Sequence, residues 1–442
     1  MMMRRRDALL RGAGVVAATI ALGACRRRAD PQGPLDFWAM GREAEVVTEL
    51  LAPFRQRHPA IEVRLQQLPW TAAHEKLLTA YAGDALPDVC TLGNTWIPEF
   101  NALDALEPLD ERVATSSALR RDDYFAGILE TNLMPARASA GRAGGGAAAM
   151  RLCGLPWYVD TRLLFYRSDL LRAAGYARAP QSWAEWREAM AAIVKRGGAG
   201  PRYGALLPLN EPEPLLALAF QQGDVLADGA TRGAFSKPPF RRAIDFYAQL
   251  FDSGLAPAMT NTQVSNVWDE FARGLFTFYI SGPWNIGEFR RRLPRERQND
   301  WATAPLPGPN GPGVSTAGGT SLVLFTSSPR KEAGWKLIEF LSETATQQRF
   351  HALTGNLPPR RSAWADPRLA NDTYSRAFAD QLERVHPAPK IPEWERIFQE
   401  MQATAERVVR HTQGAAEATA QLDAWVDVVL EKRRWLLAKG RA

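Results

Sequence analysis

The sequence predicts an α/β protein built as more than one lobe, and two observations carry that reading. Strand-like and helix-like apolar periods alternate along the first third of the chain, which implies βαβ units around an open, mostly parallel sheet. Setting aside a 24-residue leader leaves 418 of the 442 residues, too many for one core of ordinary size. Leu35–Met40 reads as the first strand, and Gly41 opens a helix on which Val46, Val47, Leu50, Leu51 and Phe54 recur at helical spacing. Ile61, Val63 and Leu65 alternate as a second strand, residues 74–81 form a helix, and residues 87–92 a third strand. A further strand covers residues 163–166, and a helix begins near Ser182, where Ser182 and Glu185 fit a capping box. From about Thr373 onward the chain reads as helical and charged, with Ile397, Met401 and Val408 at amphipathic spacing. Residues 136–149, biased to Gly, Ala and Arg, cannot build a core and read as a flexible surface insertion.

The leader is residues 1–24. Arg4-Arg5-Arg6, a short apolar run and small residues before Cys25 read as an export signal. Val15 to Leu22 is too short to remain as a membrane-spanning helix. Leu22-Gly23-Ala24-Cys25 resembles a bacterial lipoprotein signal, which makes Cys25 the expected site of lipid attachment and residues 25–34 a tether. Arg5-Arg6-Asp7-Ala8-Leu9-Leu10 also resembles a twin-arginine signal, so the export route stays open. The expected location is outside the cytoplasm, on the periplasmic side or cell surface, held to a membrane only by lipid.

The formal charge of +6 falls to +3 once the leader, with four arginines and one aspartate, is removed. That near balance gives no argument for nucleic acid, which needs clustered Lys and Arg on one face. Cys90 and Cys153 lie in apolar stretches and read as buried free thiols. The five histidines are scattered without metal-ligand spacing. There is no Walker loop, HExxH, GxSxG, CxxC or dinucleotide glycine fingerprint.

Aromatic and amide residues recur at strand-to-helix turns, where ligands of open α/β sheets bind. Trp70 follows the second strand, Asn94-Thr95-Trp96 the third, Trp157-Tyr158 precedes Asp160, and Trp284-Asn285 follows an apolar stretch. Rings beside Asn, Asp, Glu and Arg suit a sugar, whose C–H faces stack and whose hydroxyls need donors and acceptors together.

At these residues the chain resembles the extracellular solute-binding proteins of carbohydrate ABC importers, the group that includes maltose- and trehalose-binding proteins. The resemblance runs through Pro87-Asp88-Val89, Leu92-Gly93-Asn94-Thr95-Trp96, Pro156-Trp157-Tyr158-Val159-Asp160, Phe271-Ala272-Arg273-Gly274, Ser281-Gly282-Pro283-Trp284-Asn285, Gly318-Gly319 and Leu357-Pro358-Pro359-Arg360. It implies a two-lobed, type II periplasmic-binding-protein-like fold with a ligand cleft at a hinge. Lobe one would hold residues 35–155 and 302–342, and lobe two residues 160–298 and 345–440. Carried over by position, Glu43 would accept sugar hydroxyls, Asn94 and Trp96 would line the first wall with Trp70 at its rim, and Tyr158 and Asp160 would sit at the crossover. Trp268 and Trp284, with Asn285, would form the second wall, Gly318 and Gly319 would let backbone approach ligand, and Arg360 would reach hydroxyls. The resemblance implies capture of a small oligosaccharide such as trehalose or maltose by a monomer and delivery to a permease's transmembrane subunits, with no cofactor and no catalysis. Two alternatives remain at this stage: glycerol-3-phosphate or another polar solute, for which Arg42 and Arg360 are the candidate cations, and an exported carbohydrate-active enzyme using Glu43 and Asp160.

Overall fold

The structure, a computed structural model, describes residues 31–136, 149–197 and 202–439. The leader, Cys25 and all but the rims of the 136–149 insertion lie outside the described residues. The rims are joined: Ala136 N donates to Ala149 O at 2.7 Å, extending the antiparallel pair Leu133–Pro135 and Met150–Leu152.

Leu35–Met40 is a strand whose apolar residues Leu35, Phe37 and Ala39 are buried. It passes directly into the helix Gly41–Arg57, which buries Ala44, Val47, Leu50, Leu51 and Phe54 on one face. Val63–Leu68 and Val89–Gly93 flank the first strand in parallel, as βαβ units require. The remaining strands of this sheet bring the departure from expectation. Ser315–Leu324 pairs antiparallel with both Val89–Gly93 and Leu155–Asp160, and parallel with the short Val385–Pro387. A second, four-stranded sheet runs Trp301–Ala304, Leu163–Arg167, Phe276–Ser281, Tyr203–Leu206, with only its last pairing parallel. The first sheet therefore stays mostly parallel, with Ser315–Leu324 and Val385–Pro387 running against the other four strands, while the second is mixed, with two of its three pairings antiparallel. Strands that return from one lobe to the other arrive from the opposite end, and strand direction leaves no local trace in the sequence.

Two expected lobe boundaries move. Trp301–Ala304 belongs with the second sheet, paired to Leu163–Arg167. Helix Thr344–Thr354 packs on the first lobe, where Phe350 stacks on buried Trp157 with centroids 4.2 Å apart. The helix Lys331–Ser342 buries Trp335, Leu337, Ile338 and Phe340 in the same core. Ser182 caps Trp183–Lys195 by accepting from Glu185 N, and the Glu185 carboxylate accepts from Gln181 N at 2.8 Å. The C-terminal region is mainly helical, as Thr373–Leu382, Trp394–Val409, Ala415–Val429 and Glu431–Ala438, with the short strand Val385–Pro387 between the first two. Cys90 and Cys153 are buried and free.

Asp88 shows what one motif that carries the resemblance does. Its buried carboxylate accepts from Asp36 N at 2.7 Å, Ser328 Oγ at 2.6 Å and Arg330 Nε at 2.9 Å. It pins the entry of the third strand to the first strand and to the turn before Lys331–Ser342.

Gly319 is the tightest point of the first sheet. Its φ of +138° is open to glycine, and a Cβ there would lie 2.2 Å from Tyr158 O. Gly319→Ala is therefore expected to lower stability by about 3 kcal/mol, seen as a shifted midpoint in urea or thermal melts monitored by circular dichroism.

Candidate functional site

A cavity of about 540 Å³ opens where the two lobes meet, within the roughly 300–1,000 Å³ usual for small-molecule sites. Nine of the twelve residues singled out from sequence line it: Glu43, Trp70, Asn94, Trp96, Tyr158, Asp160, Trp284, Gly318 and Gly319.

The first wall is built at the ends of three parallel strands. Gly41, with φ +59°, turns the chain from strand into helix and places Glu43 in the helix's first turn. A Cβ on Gly41 would lie 2.8 Å from Trp70 Nε1, so the glycine also makes room for the indole. Glu43 Oε1 accepts from buried Asn356 Nδ2 at 2.8 Å. Trp70 and Trp96 lie 5.6 Å apart at 59°. Behind Trp96 the His74 ring stacks at 4.9 Å, and His74 Nε2 contacts Glu99 Oε2 at 2.6 Å. Asn94 is more occupied than its sequence position implies. Its Nδ2 donates to Thr131 Oγ1, its Oδ1 accepts from Ser321 Oγ, both at 2.9 Å, and its N donates to Gly319 O at 3.1 Å. It fixes the wall before it can touch any solute.

The crossover between lobes carries the charge. Asp160 ends one sheet's strand and Leu163 begins the other's. Between them Arg162 pairs with Asp160 through Nη1 and with Glu213 Oε1 through Nη2, the latter at 3.0 Å. Burial lifts the Asp160 carboxyl above its ordinary range; Arg162 opposes this, while Glu213 and Glu43 add to it. Burial, and then Glu43, push the Tyr158 hydroxyl well above its usual value. Burial weighs against the Arg162 charge, yet Asp160 and Glu213 hold it above its ordinary value. Gly318 and Gly319 line the cavity with bare backbone, and a Cβ on either would meet Asp160 O or Tyr158 O, so both glycines also allow close strand packing at the cavity's floor.

On the second wall, Trp284 starts the helix Trp284–Arg292 and is 39 % exposed. Its ring lies on Gly282, where a Cβ would stand 1.9 Å from the indole. The Arg162 guanidinium carbon sits 4.7 Å from the ring centroid, a cation–π contact of about 1 kcal/mol at a partly exposed ring. Leu216, Phe220, Trp394, Glu395 and Phe398 complete the wall.

Three expected residues lie elsewhere. Trp268 Nε1 donates to Asn285 Oδ1 at 2.9 Å, and Asn285 Nδ2 donates to Ser281 Oγ at 2.6 Å, so the two satisfy each other behind the wall. The Arg292 guanidinium lies over the Trp268 ring at 4.2 Å. Arg360 is buried among Asp123 Oδ2, Ser342 O and Ala118 O at 2.7, 2.6 and 3.0 Å and points to none of the cavity. Arg42 is exposed and off the cavity. Sequence reading missed Arg162, Glu213, Asn356 and Trp394. Of these only Arg162, two residues after Asp160 at the crossover, carried a local signal.

The lining sets four carboxylates, Glu43, Asp160, Glu213 and Glu395, against the one guanidinium of Arg162. With exposed indole faces on both sides, the cavity offers stacking surface and acceptors for hydroxyl donors, and its charge opposes an anion. Among the described residues no group of three or more His, Cys, Asp or Glu is placed to hold a metal ion, and no helix is long and apolar enough to cross a membrane.

Comparison with known proteins agrees with this architecture. The family described as bacterial extracellular solute-binding protein matches residues 41–348, and the chain belongs to it. The structure of the sugar-binding protein MalE from the phytopathogen Xanthomonas citri superimposes with a TM-score of 0.86 at 53 % identity, covering 92 % of this chain and 99 % of that one. The galactooligosaccharide-binding protein of Bacillus subtilis is 21 % identical over 400 residues, 86 % of this chain and 87 % of that protein. UgpB from Mycobacterium tuberculosis, solved with glycerophosphocholine, shares the fold at a TM-score of 0.73 and 23 % identity, covering 91 % of this chain and 99 % of that one. The molecule is thus a two-lobed solute-binding protein.

Arg360 gives a direct check on the reassigned residues. Removing one member of a buried ion pair costs about 3 kcal/mol or more, so Arg360→Met is expected to unfold at clearly lower urea concentration than the parent protein.

Proposed function

We propose that the protein captures a small neutral oligosaccharide, with trehalose or maltose the leading candidates, and delivers it to the transmembrane subunits of an ABC importer. The observation that carries this reading is the cavity itself. Indole faces of Trp70 and Trp96 on one lobe and Trp284 on the other border a space whose polar groups are mainly hydroxyl acceptors. The 53 % identity to a protein described as sugar-binding supports it. Solute touching both walls favours the closed arrangement by its differential affinity for that state, and the closed form is what the permease receives. The protein makes and breaks no bond in this role, needs no cofactor and works as a monomer. It is exported and held to the membrane through lipid on Cys25, in keeping with a relative from Streptomyces antibioticus described as a lipoprotein.

A phosphate ester is the second reading, since UgpB shares the fold and was solved with glycerophosphocholine. The cavity argues against it, because Arg162 is already engaged by Asp160 and Glu213. The enzyme reading, with Glu43 and Asp160 as the carboxylates, predicts monosaccharide release from a disaccharide, and none is expected.

Titration of tryptophan fluorescence with trehalose, maltose, sucrose and glycerol-3-phosphate tests the proposal. A saturable change with one neutral disaccharide is expected, and Trp284→Ala is expected to abolish it while the protein stays folded by circular dichroism. Saturation by glycerol-3-phosphate alone, or undiminished sugar affinity in Trp284→Ala, contradicts the proposal.

A further inference from the structure

Arg162 belongs to none of the motifs that carry the resemblance, yet it sits where both lobes, the charge and the aromatic wall meet. Its side chain is 11 % exposed. One end of its planar fork holds Asp160, at the end of a first-sheet strand, and the other holds Glu213, in the first turn of the second-lobe helix Glu213–Phe220. Its guanidinium carbon lies over the Trp284 ring, 4.7 Å from the centroid. Its backbone is clamped as well: Ser315 Oγ donates to Arg162 O at 2.6 Å, and Thr161 Oγ1 donates to Thr316 O at 2.8 Å.

We propose that Arg162 is the positioning and specificity residue of this cleft. Bound to Asp160 and Glu213 and laid on Trp284, it keeps both carboxylates as hydroxyl acceptors, fixes the indole, and leaves the lining no unengaged cation for an anionic solute. The proposal rests on the reading of the cleft as a solute site.

Elementary chemistry supports each part. An ionised carboxylate paired with a guanidinium keeps lone pairs for further donors, whereas a protonated one gives up acceptor capacity. The titratable groups that face Arg162 are Asp160, Glu213, Glu211 and Tyr279, with Glu43 and Tyr158 next to Asp160. Without the guanidinium these carboxylates face each other with no cation between them, so one takes up a proton and is lost as an acceptor. Trp284 would at the same time lose the ion that covers its face. A lysine keeps the charge but has neither the fork nor the plane. Anions are refused by repulsion, because an approaching phosphate meets four carboxylates whose only counter-ion in the lining is engaged.

The test uses 5-fluorotryptophan-labelled protein and ¹⁹F spectra between pH 5 and 8, with the Trp284 resonance identified by its loss in Trp284→Phe. In ligand-free parent protein that resonance is expected to stay fixed across the range, and in Arg162→Met to move with pH. Affinity for the sugar should fall on the order of tenfold in Arg162→Met, the effect of losing one charge-assisted hydrogen bond, and fall most at low pH. Arg162→Lys should weaken binding but keep the flat pH profile. A Trp284 resonance that ignores both Arg162→Met and pH overturns the proposal. If Arg162→Met fails to fold, Glu213→Gln decides: glycerol-3-phosphate should then compete for the site, as it does not in the parent, and absence of competition overturns the proposal. Failure of every neutral sugar to shift the parent's spectrum would refute the proposed function instead, while the ligand-free spectra still judge Arg162.

Discussion

The pairing of strand Ser315–Leu324 is the constraint on which the rest depends. It bonds antiparallel to Val89–Gly93 on one side and to Leu155–Asp160 on the other, so it fixes the loops that follow both. Those loops carry Asn94, Trp96 and Arg162, and Asp160 closes the second of the two strands. The pairing closes tightly only because residues 318 and 319 have no side chain to meet the carbonyls of Asp160 and Tyr158. The same strand supplies Ser321 Oγ to Asn94 Oδ1 and, from its first residue, Ser315 Oγ to Arg162 O. One edge-to-edge fit therefore sets the first wall, the crossover and the cavity floor.

Charge and aromatic surface then divide the labour. The indoles supply apolar area on opposite walls, and each is held by something that is not solute: Trp96 by His74, Trp284 by Gly282 and Arg162. The carboxylates supply acceptors, held in turn by Asn356 for Glu43 and by Arg162 for Asp160 and Glu213. A site whose rotamers are fixed beforehand loses less entropy on binding. Its negative excess gives selectivity by repulsion without any contact dedicated to it.

Much of this was legible from sequence wherever the signal is local. The strand Leu35–Met40, the amphipathic helix after Gly41 and the aromatic residues at strand ends follow from periodicity and from where open sheets bind ligands. Relations between distant residues were not legible. Trp268 and Asn285 look like a ring and an amide for a ligand, but 17 positions apart they bond to each other. Arg360 looks like a hydroxyl-binding fork, yet Asp123 and two carbonyls claim it in the core. Arg162 lies next to a recognised motif, but its importance comes from Glu213, 51 residues on. Strand direction is equally hidden, which is why the antiparallel pairings of Ser315–Leu324 and of the second sheet were not legible beside the mostly parallel pattern that was expected.

The most direct measurement of the central claim is a crystal structure of the protein grown with saturating trehalose or maltose. The account predicts one sugar molecule between the lobes, stacked on Trp284 and facing Trp70 and Trp96, with hydroxyls on Glu43 and Asp160 and with Arg162 still bound to Asp160 and Glu213. A sugar bound outside this cavity, or a cavity holding an anion paired directly with Arg162, would contradict it.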